Sequence, residues 1–391
     1  MCSLRVLHLT PEFPPVIWGG LGTAVGGLAN ASAHAEMSVG VLLVGGALVL
    51  GDGSYGQWRP ISFASPASID EPLAVNSDGV SFFQVSPAEA EEAAIRLAER
   101  WKPDVVHLHT AWFWPVARAI RDKTQTPLVY TVHSLDRAEY EIGDFVTHWD
   151  TQETVIRAAD RVIALSRDER ALITKYCPAA AERVRIVGNG IADSVEARFS
   201  TQKKREGPPV ILYSGRFVDR KGIRELFQAI PQVLDQAPDV RFLLAGGYGT
   251  ATEIESAWLD DTLRPYRSRI EFTGWLTPDR VAECYRRADV LVMPSWYEPF
   301  GMVILEGMLH GLPIAATSVG GPADILEHER TALLFSPKSV PELTSTLLRF
   351  VNDPTLRDRI GRAAARYVRR HWLWSNVVEK MRSVYQEIID R

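Results

Sequence analysis

Val290-Leu-Val-Met-Pro-Ser-Trp-Tyr-Glu-Pro-Phe-Gly-Met-Val-Ile-Leu-Glu306 carries two readings in one stretch. Val290–Met293 is a short β-branched and apolar run bounded by Pro294, the pattern of a buried parallel strand. Met302–Met308 follows Gly301 and reads as a helix start. Glu298 and the Gly301 turn therefore fall at a strand's carboxyl end, where open α/β sheets bind ligands. The free N–H groups of Gly301, Met302 and Val303 would receive a diphosphate at the positive end of the helix dipole, and Glu306, one turn in, would reach ribose hydroxyls. The stretch predicts a nucleotide-sugar site.

The same strand–turn–helix alternation runs outward in both directions. Candidate strands are Leu4–Leu9, Val41–Val44, Val105–Leu108, Leu128–Val132, Val162–Leu165 and Val184–Val187, then Val210–Tyr213, Phe242–Ala245, Ile270–Thr273, Val290–Met293 and Ile314–Ala316. Alternation of this kind builds βαβ units and parallel sheets. Arg198-Phe-Ser-Thr-Gln-Lys-Lys-Arg-Glu-Gly-Pro-Pro209 breaks it, which places a domain boundary there. The expected architecture is α/β with two doubly wound domains, residues 1–200 with the terminal helix 374–391, and residues 207–373, facing a cleft. The stretch from Gly51 to Ser86, rich in Gly, Pro, Ser and Asp, is expected to be irregular and to serve an acceptor. The end of the chain from Pro354 reads as consecutive helices with Trp372 and Trp374 at their joint.

Composition narrows the function. The 391 residues exceed the usual span of one core, and 46% hydrophobic with 23% charged residues is ordinary for a soluble globular protein. A net charge of −5 argues against nucleic acid as partner. Residues 1–200 hold 17 basic and 24 acidic side chains, so the second half is the better host for an anion. Cys2, Cys177 and Cys284 are scattered and match neither a zinc site nor a disulfide framework. The N-terminus enters a strand pattern directly and no apolar run approaches the roughly 20 residues of a membrane span, so a cytoplasmic location is expected.

Further motifs lie at other strand ends. Thr10-Pro-Glu-Phe-Pro-Pro-Val-Ile-Trp-Gly-Gly-Leu-Gly-Thr-Ala-Val-Gly-Gly-Leu-Ala29 places Gly19 and Gly20 where backbone would approach a phosphate or sugar oxygen. The competing reading is a turn with close helix packing through Gly26 and Gly27. The spacing does not fit a nicotinamide fingerprint. In Tyr213-Ser-Gly-Arg-Phe-Val-Asp-Arg-Lys-Gly222, Arg216 and Lys221 are expected to neutralise a leaving diphosphate without metal, with Arg220 solvated. His107, His109 and His133 end two further strands; a structural role competes with a catalytic one for each. The Phe272-Thr-Gly-Trp-Leu276 turn carries little weight by itself. Arg359, Arg362, Arg366 and Arg369 form one helical stripe, read as a solvated face in preference to a peripheral membrane contact. No Asp-x-Asp pair follows a strand, so no metal is expected.

Together Gly19-Gly20, His133, Arg216 with Lys221, and Glu298-x7-Glu306 resemble the retaining glycosyltransferases of the GT-B fold, family 4, with glycogen and starch synthases as near relatives. The motifs span residues 10 to 306 in order. The resemblance implies that Glu306 holds ribose, Arg216 and Lys221 the diphosphate, the Gly301–Val303 amides a phosphate or sugar hydroxyl, and Glu298 the transferred sugar. It implies that His133 touches the sugar near the reacting carbon, that the Gly19-Gly20 loop meets the diphosphate, and that Leu276 lies beside the base. Gly247 and Phe300 join the donor-side candidates; Glu12 and His109 are acceptor-side candidates. Bacterial glycogen synthases carry Lys-x-Gly-Gly-Leu followed shortly by Asp, whereas this chain reads Ile17-Trp-Gly-Gly-Leu-Gly-Thr23, which argues against an ADP-glucose glucan polymerase.

The expected activity is cofactor-free hexosyl transfer, first from UDP-glucose and then from ADP-glucose or GDP-mannose, to a carbohydrate or lipid-linked saccharide. No two-carboxylate hydrolase arrangement is evident, which favours departure and attack on the same face. A phosphorylase, a sugar-nucleotide epimerase and a non-catalytic nucleotide-sugar-binding subunit are the alternatives.

Overall fold

The computed structural model describes residues 3–14, 19–44, 74–75, 78–143, 149–193, 207–247 and 249–390. Ile17 and Trp18, Cys2, most of the 51–86 stretch and residues 198–206 of the expected boundary lie outside them. The described elements form two compact units, one from the strands before residue 190 with the last helix Trp374–Ile389, the other from residues 191–373.

The first unit is an eight-stranded sheet in the order β3-β4-β2-β1-β5-β6-β7-β8. Its strands are β1 (Arg5–Thr10), β2 (Ser38–Val44), β3 (Ala74–Val75), β4 (Ser81–Val85), β5 (Val105–Leu108), β6 (Leu128–Val132), β7 (Arg161–Ala164) and β8 (Val184–Ile186). All pairings are parallel except β3 with β4. Central strands are buried along their length because helices cover both faces, which is why they read as apolar runs without alternation. The second unit orders six parallel strands β11-β10-β9-β12-β13-β14. They are β9 (Val210–Ser214), β10 (Arg241–Ala245), β11 (Ile270–Gly274), β12 (Val290–Met293), β13 (Ile314–Thr317) and β14 (Ala332–Phe335). Its core joins Phe217, Phe227, Trp258 and Phe272 edge to face, with Phe227 and Trp258 centroids 5.5 Å apart. Two parallel-sheet α/β units are the architecture read from the sequence.

Three strands depart from that reading. The 51–86 stretch is not wholly irregular, since Ser81–Val85 pairs in parallel with β2, from Gly40↔Ser81 to Val44↔Val85, and Ala74–Val75 adds an antiparallel edge. β14 closes the other sheet beside β13. Each is short or flanked by polar residues, too brief to show a period of its own.

The last helix packs on the first unit. Gly27, in the helix Gly20–His34, leaves the gap that Trp374 fills: a Cβ at residue 27 would lie 2.0 Å from Trp374 Nε1. Gly190 opens the other side, with its virtual Cβ 2.7 Å from Trp374 Cα. Gly26 packs on Pro14. The close-packing reading of Gly26 and Gly27 is thus what the structure displays. Trp372, two residues before, stays with the second unit, its ring 5.5 Å from Phe300. Arg161, 2% exposed, is held by Glu387 of the terminal helix at 2.9 Å. Among the described residues no helix is long and apolar enough to cross a membrane.

Two predictions follow from this packing. Gly27→Ala should cost about 1–3 kcal/mol by overpacking against Trp374. Gly19→Ser should be close to neutral, because Gly19 has extended backbone and nothing within 4 Å of its virtual Cβ. Thermal unfolding of both variants beside the parent checks this. The second concerns acid. Burial holds His8 down to about 3, and burial with mutual repulsion holds His107 and His109 well below the ordinary value. Their folded values lie below the unfolded value of about 6.5, so their contribution is complete above that pH and is lost as pH falls toward the folded values. The unfolding free energy should therefore decline between about pH 6.5 and 5, by up to about 1.4 kcal/mol per pH unit for each histidine, and the unfolding midpoint with it. A midpoint flat across that window would refute it.

Candidate functional site

In the second unit, three strand ends converge on Glu298. β9 ends in the loop that carries Arg216, a single 3₁₀ turn at Asp219–Lys221, and Gly222, which starts the helix Ile223–Gln236. The Lys221 ammonium donates to Glu298 Oε2 at 2.6 Å, with the two side chains 18% and 12% exposed. Burial lowers the Lys221 pKa while Glu298 pulls it the other way. Ser295 Oγ is 3.4 Å from the same carboxylate oxygen.

The loop that holds Glu298 is braced by backbone contacts that only glycines permit. Gly222 has φ 69°, and a Cβ there would stand 2.0 Å from the Pro294 carbonyl oxygen. Gly320 has φ 57° and would place a Cβ 2.0 Å from the Glu298 carbonyl oxygen, which accepts the Gly321 N–H at 2.9 Å. The Trp296 N–H donates to the Arg220 carbonyl at 2.7 Å, and Thr317 Oγ1 donates to the Ser295 carbonyl at 2.6 Å. Arg220 is not solvated as expected: it is 5% exposed, because this backbone bond draws residue 220 inward between Lys221 and the Trp296 loop. Tyr213 Oη donates to the Arg216 carbonyl at 2.7 Å, which leaves the Arg216 side chain on the exposed side of the loop.

The helix Met302–Leu309 begins at Gly301, with φ 95° and no side-chain cap, so the amides of Met302 and Val303 head an uncapped dipole. Glu306 lies one turn inside. Tyr285 Oη donates to Glu306 Oε2 at 2.5 Å, and the Tyr285 ring stacks on His310, 5.1 Å between centroids. Burial raises the Glu306 pKa, partly offset by the Tyr285 hydrogen bond. Sequence reasoning missed Tyr285, Ser295, Gly320 and Gly321; the pair Gly320-Gly321 before Pro322 was the one visible signal. Phe300 needs correction, since its ring is buried against Trp372 and offers no side-chain surface to a ligand. Gly247 (φ 89°) seats against Ile254, and Leu276 is half-buried beside exposed Trp275.

In the first unit the carboxyl ends of β1, β5 and β6 bring His8, His107, His109 and His133 together. His107 bridges Tyr385 Oη and Thr131 Oγ1, both at 2.7 Å, which settles its structural role. His109 is corrected as a direct acceptor contact: it is 2% exposed, and its two ring nitrogens meet His8 at 2.9 Å and His133 at 3.1 Å. His133 is the half-exposed outer member. Gln152 holds the following turn, accepting the Asp136 N–H at 2.9 Å and donating to the Ser134 carbonyl at 2.8 Å. Glu12 is half-buried in the loop after β1, its carbonyl accepting from Thr10 Oγ1 at 3.0 Å. Gly19 and Gly20 begin an uncapped helix with space around Gly19. In the arginine stripe Arg369 departs from solvation, pairing with Asp193 at 3.2 Å and donating to the Leu309 carbonyl.

The two halves of the chain match known families in order. Residues 18–195 match the family described as "Glycosyltransferase Family 4", and residues 208–353 match "Glycosyl transferases group 1". A glycogen synthase of Mycobacterium tuberculosis is 27% identical over 98% of this chain and 94% of its own. Among solved structures, Anabaena Alr3699/HepE in complex with UDP and glucose superposes with TM-score 0.72 at 18% identity, over 98% of this chain and all of that one. The catalytic domain of starch synthase IV from Arabidopsis thaliana, bound to ADP and acarbose, gives 0.74 at 15% identity, over the full length of both chains. With a family 4 first unit, a group 1 second unit and both sheets of the GT-B fold, the chain belongs to the GT-B glycosyltransferases of family 4, related to the glycogen synthases.

Proposed function

We propose that the protein transfers a hexose from a nucleoside diphosphate sugar to a hydroxyl acceptor with retention of configuration, with UDP-glucose as the donor. The observation that carries this reading is the Lys221–Glu298 pair, held by a glycine-braced loop beside the uncapped start of Met302–Leu309. A buried ammonium already matched to one carboxylate can be shared with an arriving phosphate, while the matched carboxylate turns to sugar hydroxyls. Arg216 supplies a second cation, and the Met302 and Val303 amides add donors without charge.

Glu306 is assigned to the ribose. Its bond from Tyr285 fixes one oxygen and leaves the other for a diol. In the same reading Leu276 lies beside the base, Gly247 lets backbone approach the donor, and His133 contacts the hexose. Developing charge on the leaving diphosphate is stabilised by Arg216, Lys221 and the helix start. That diphosphate takes the proton of the incoming hydroxyl as the new glycosidic bond forms on the face the nucleotide leaves. No metal is needed for this step, because the protein's own cations supply the charge. A UDP- and glucose-bound structural relative supports uridine and glucose; an ADP-bound one keeps adenine among the donors to be screened.

Five outcomes are expected. Lys221→Ala and Glu298→Ala should each lower turnover by about 10²–10³-fold in protein that still folds; turnover within a few-fold of the parent in either would remove the assignment. Gly19→Ser, near neutral for stability, should nonetheless depress transfer, because space at Gly19 is kept for ligand rather than for the fold. A thermal-shift panel of UDP-, ADP- and GDP-hexoses should show the largest rise with UDP-glucose. Transfer should persist in EDTA, and the product's anomeric configuration, read by NMR, should match the donor's. An inverted product, or sugar release that depends on inorganic phosphate, would overturn the reading.

A further inference from the structure

The four histidines at the carboxyl edge of the first sheet are more than a packed cluster, because three of them form a line. His8 Nδ1 lies 2.9 Å from His109 Nε2, and His109 Nδ1 lies 3.1 Å from His133 Nε2. Adjacent rings along it are nearly evenly spaced, with centroids 5.2 Å and 5.4 Å apart. A neutral imidazole has one N–H donor and one lone-pair acceptor. Each link needs one of each, so the tautomer of one ring dictates the tautomer of every other.

The inner end decides the direction. His8 is fully buried and its Nε2 has no hydrogen-bond partner. A proton there would be an orphaned buried N–H, which proteins tolerate less readily than an unfilled acceptor. His8 therefore carries its proton on Nδ1 and donates to His109 Nε2. His109 must then carry its proton on Nδ1 and donate to His133 Nε2. His133 is left with its proton on Nδ1, the outer nitrogen, which has no partner among the described residues.

We propose that His8 and His109 are positioning residues that fix His133 as the neutral Nδ1–H tautomer, so that it offers an N–H donor to an oxygen of the bound sugar nucleotide. This rests on the glycosyl-transfer reading above for the identity of that oxygen, and on geometry alone for the tautomer. The surrounding groups keep the line neutral and one-directional. His107 lies beside His109, ring centroids 4.2 Å apart, but both its nitrogens are taken by Tyr385 and Thr131, so it does not branch the line. Burial lowers the pKa of all four rings, with repulsion from neighbouring histidines adding to it at His107 and His109.

A metal would use the same atoms differently. His8, His107 and His109 each offer a nitrogen, all within 4.8 Å. Five of their six ring nitrogens are already in hydrogen bonds, so His107 and His109 would each have to break one to become a ligand. The hydrogen-bonded line needs no such rearrangement.

The test is long-range ¹H–¹⁵N correlation on the full chain labelled at histidine. His133 should show the Nδ1–H pattern in the parent and in Tyr385→Phe, which touches only His107. It should shift to a tautomer mixture in His109→Phe and return toward the parent in His109→Asn, whose amide nitrogen takes the place of Nδ1. In kinetics, His109→Phe should lose roughly 10–100-fold in kcat, the usual cost of removing a group that orients a ligand residue. An Nε2–H pattern for His133 in the parent, an unchanged pattern in His109→Phe, or stoichiometric metal in the purified chain would overturn the proposal. The parent spectrum requires neither a variant that folds nor measurable transfer, so a failure of the transferase reading is distinguishable from a failure of the relay.

Discussion

Parallel strand pairing is the constraint on which everything else in both units depends. It sends the carboxyl ends of the parallel strands to one edge of each sheet and obliges the chain to return through a crossover. The turn at that edge is therefore most often a strand end followed by a helix start. Charged and polar groups gather there because the rest of the strand is buried on both faces. In the second unit this edge collects Lys221, Glu298 and the amides of Met302 and Val303; in the first it collects His8, His107, His109 and His133.

The two edges solve opposite electrostatic problems. At Glu298 a largely buried cation and anion compensate each other at 2.6 Å. At His133 the groups stay uncharged, and direction rather than charge is what the hydrogen bonds deliver. Both sites are stiffened from behind by contacts that carry no chemistry: Gly320 and Gly321 under the Glu298 loop, Gln152 under the His133 turn.

Most of the fold was legible because buried parallel strands leave uninterrupted apolar runs, and eleven such runs stand out between Leu4 and Ala316. Ser81–Val85 and Ala332–Phe335 escaped notice because one is interrupted by its own Ser81 and Gln84 and the other follows a polar turn at once. Site residues were legible where a motif couples several positions, as in Glu298-x7-Glu306 and Arg216 with Lys221. Tyr285 was not, since it sits on a helix whose sequence distance from Glu306 carries no period, and only the sheet order brings them within 2.5 Å. Arg369 misled because an arginine's sequence context cannot show whether a carbonyl or carboxylate far along the chain, such as Leu309 or Asp193, will draw it in. Arg220 misled because its burial goes with a backbone bond to Trp296 that no local pattern announces.

The terminal helix sets the order in which the molecule can be completed during synthesis. A ribosome delivers all eight strands of the first sheet before residue 190, yet the gap between Gly27 and Gly190 waits for Trp374, His107 waits for Tyr385, and the buried guanidinium of Arg161 waits for Glu387. The second unit has its whole sequence by residue 373. The part of the chain made last to begin is thus finished first, and the earliest-made sheet is left with an uncovered face and an unmatched buried charge until the final turns emerge.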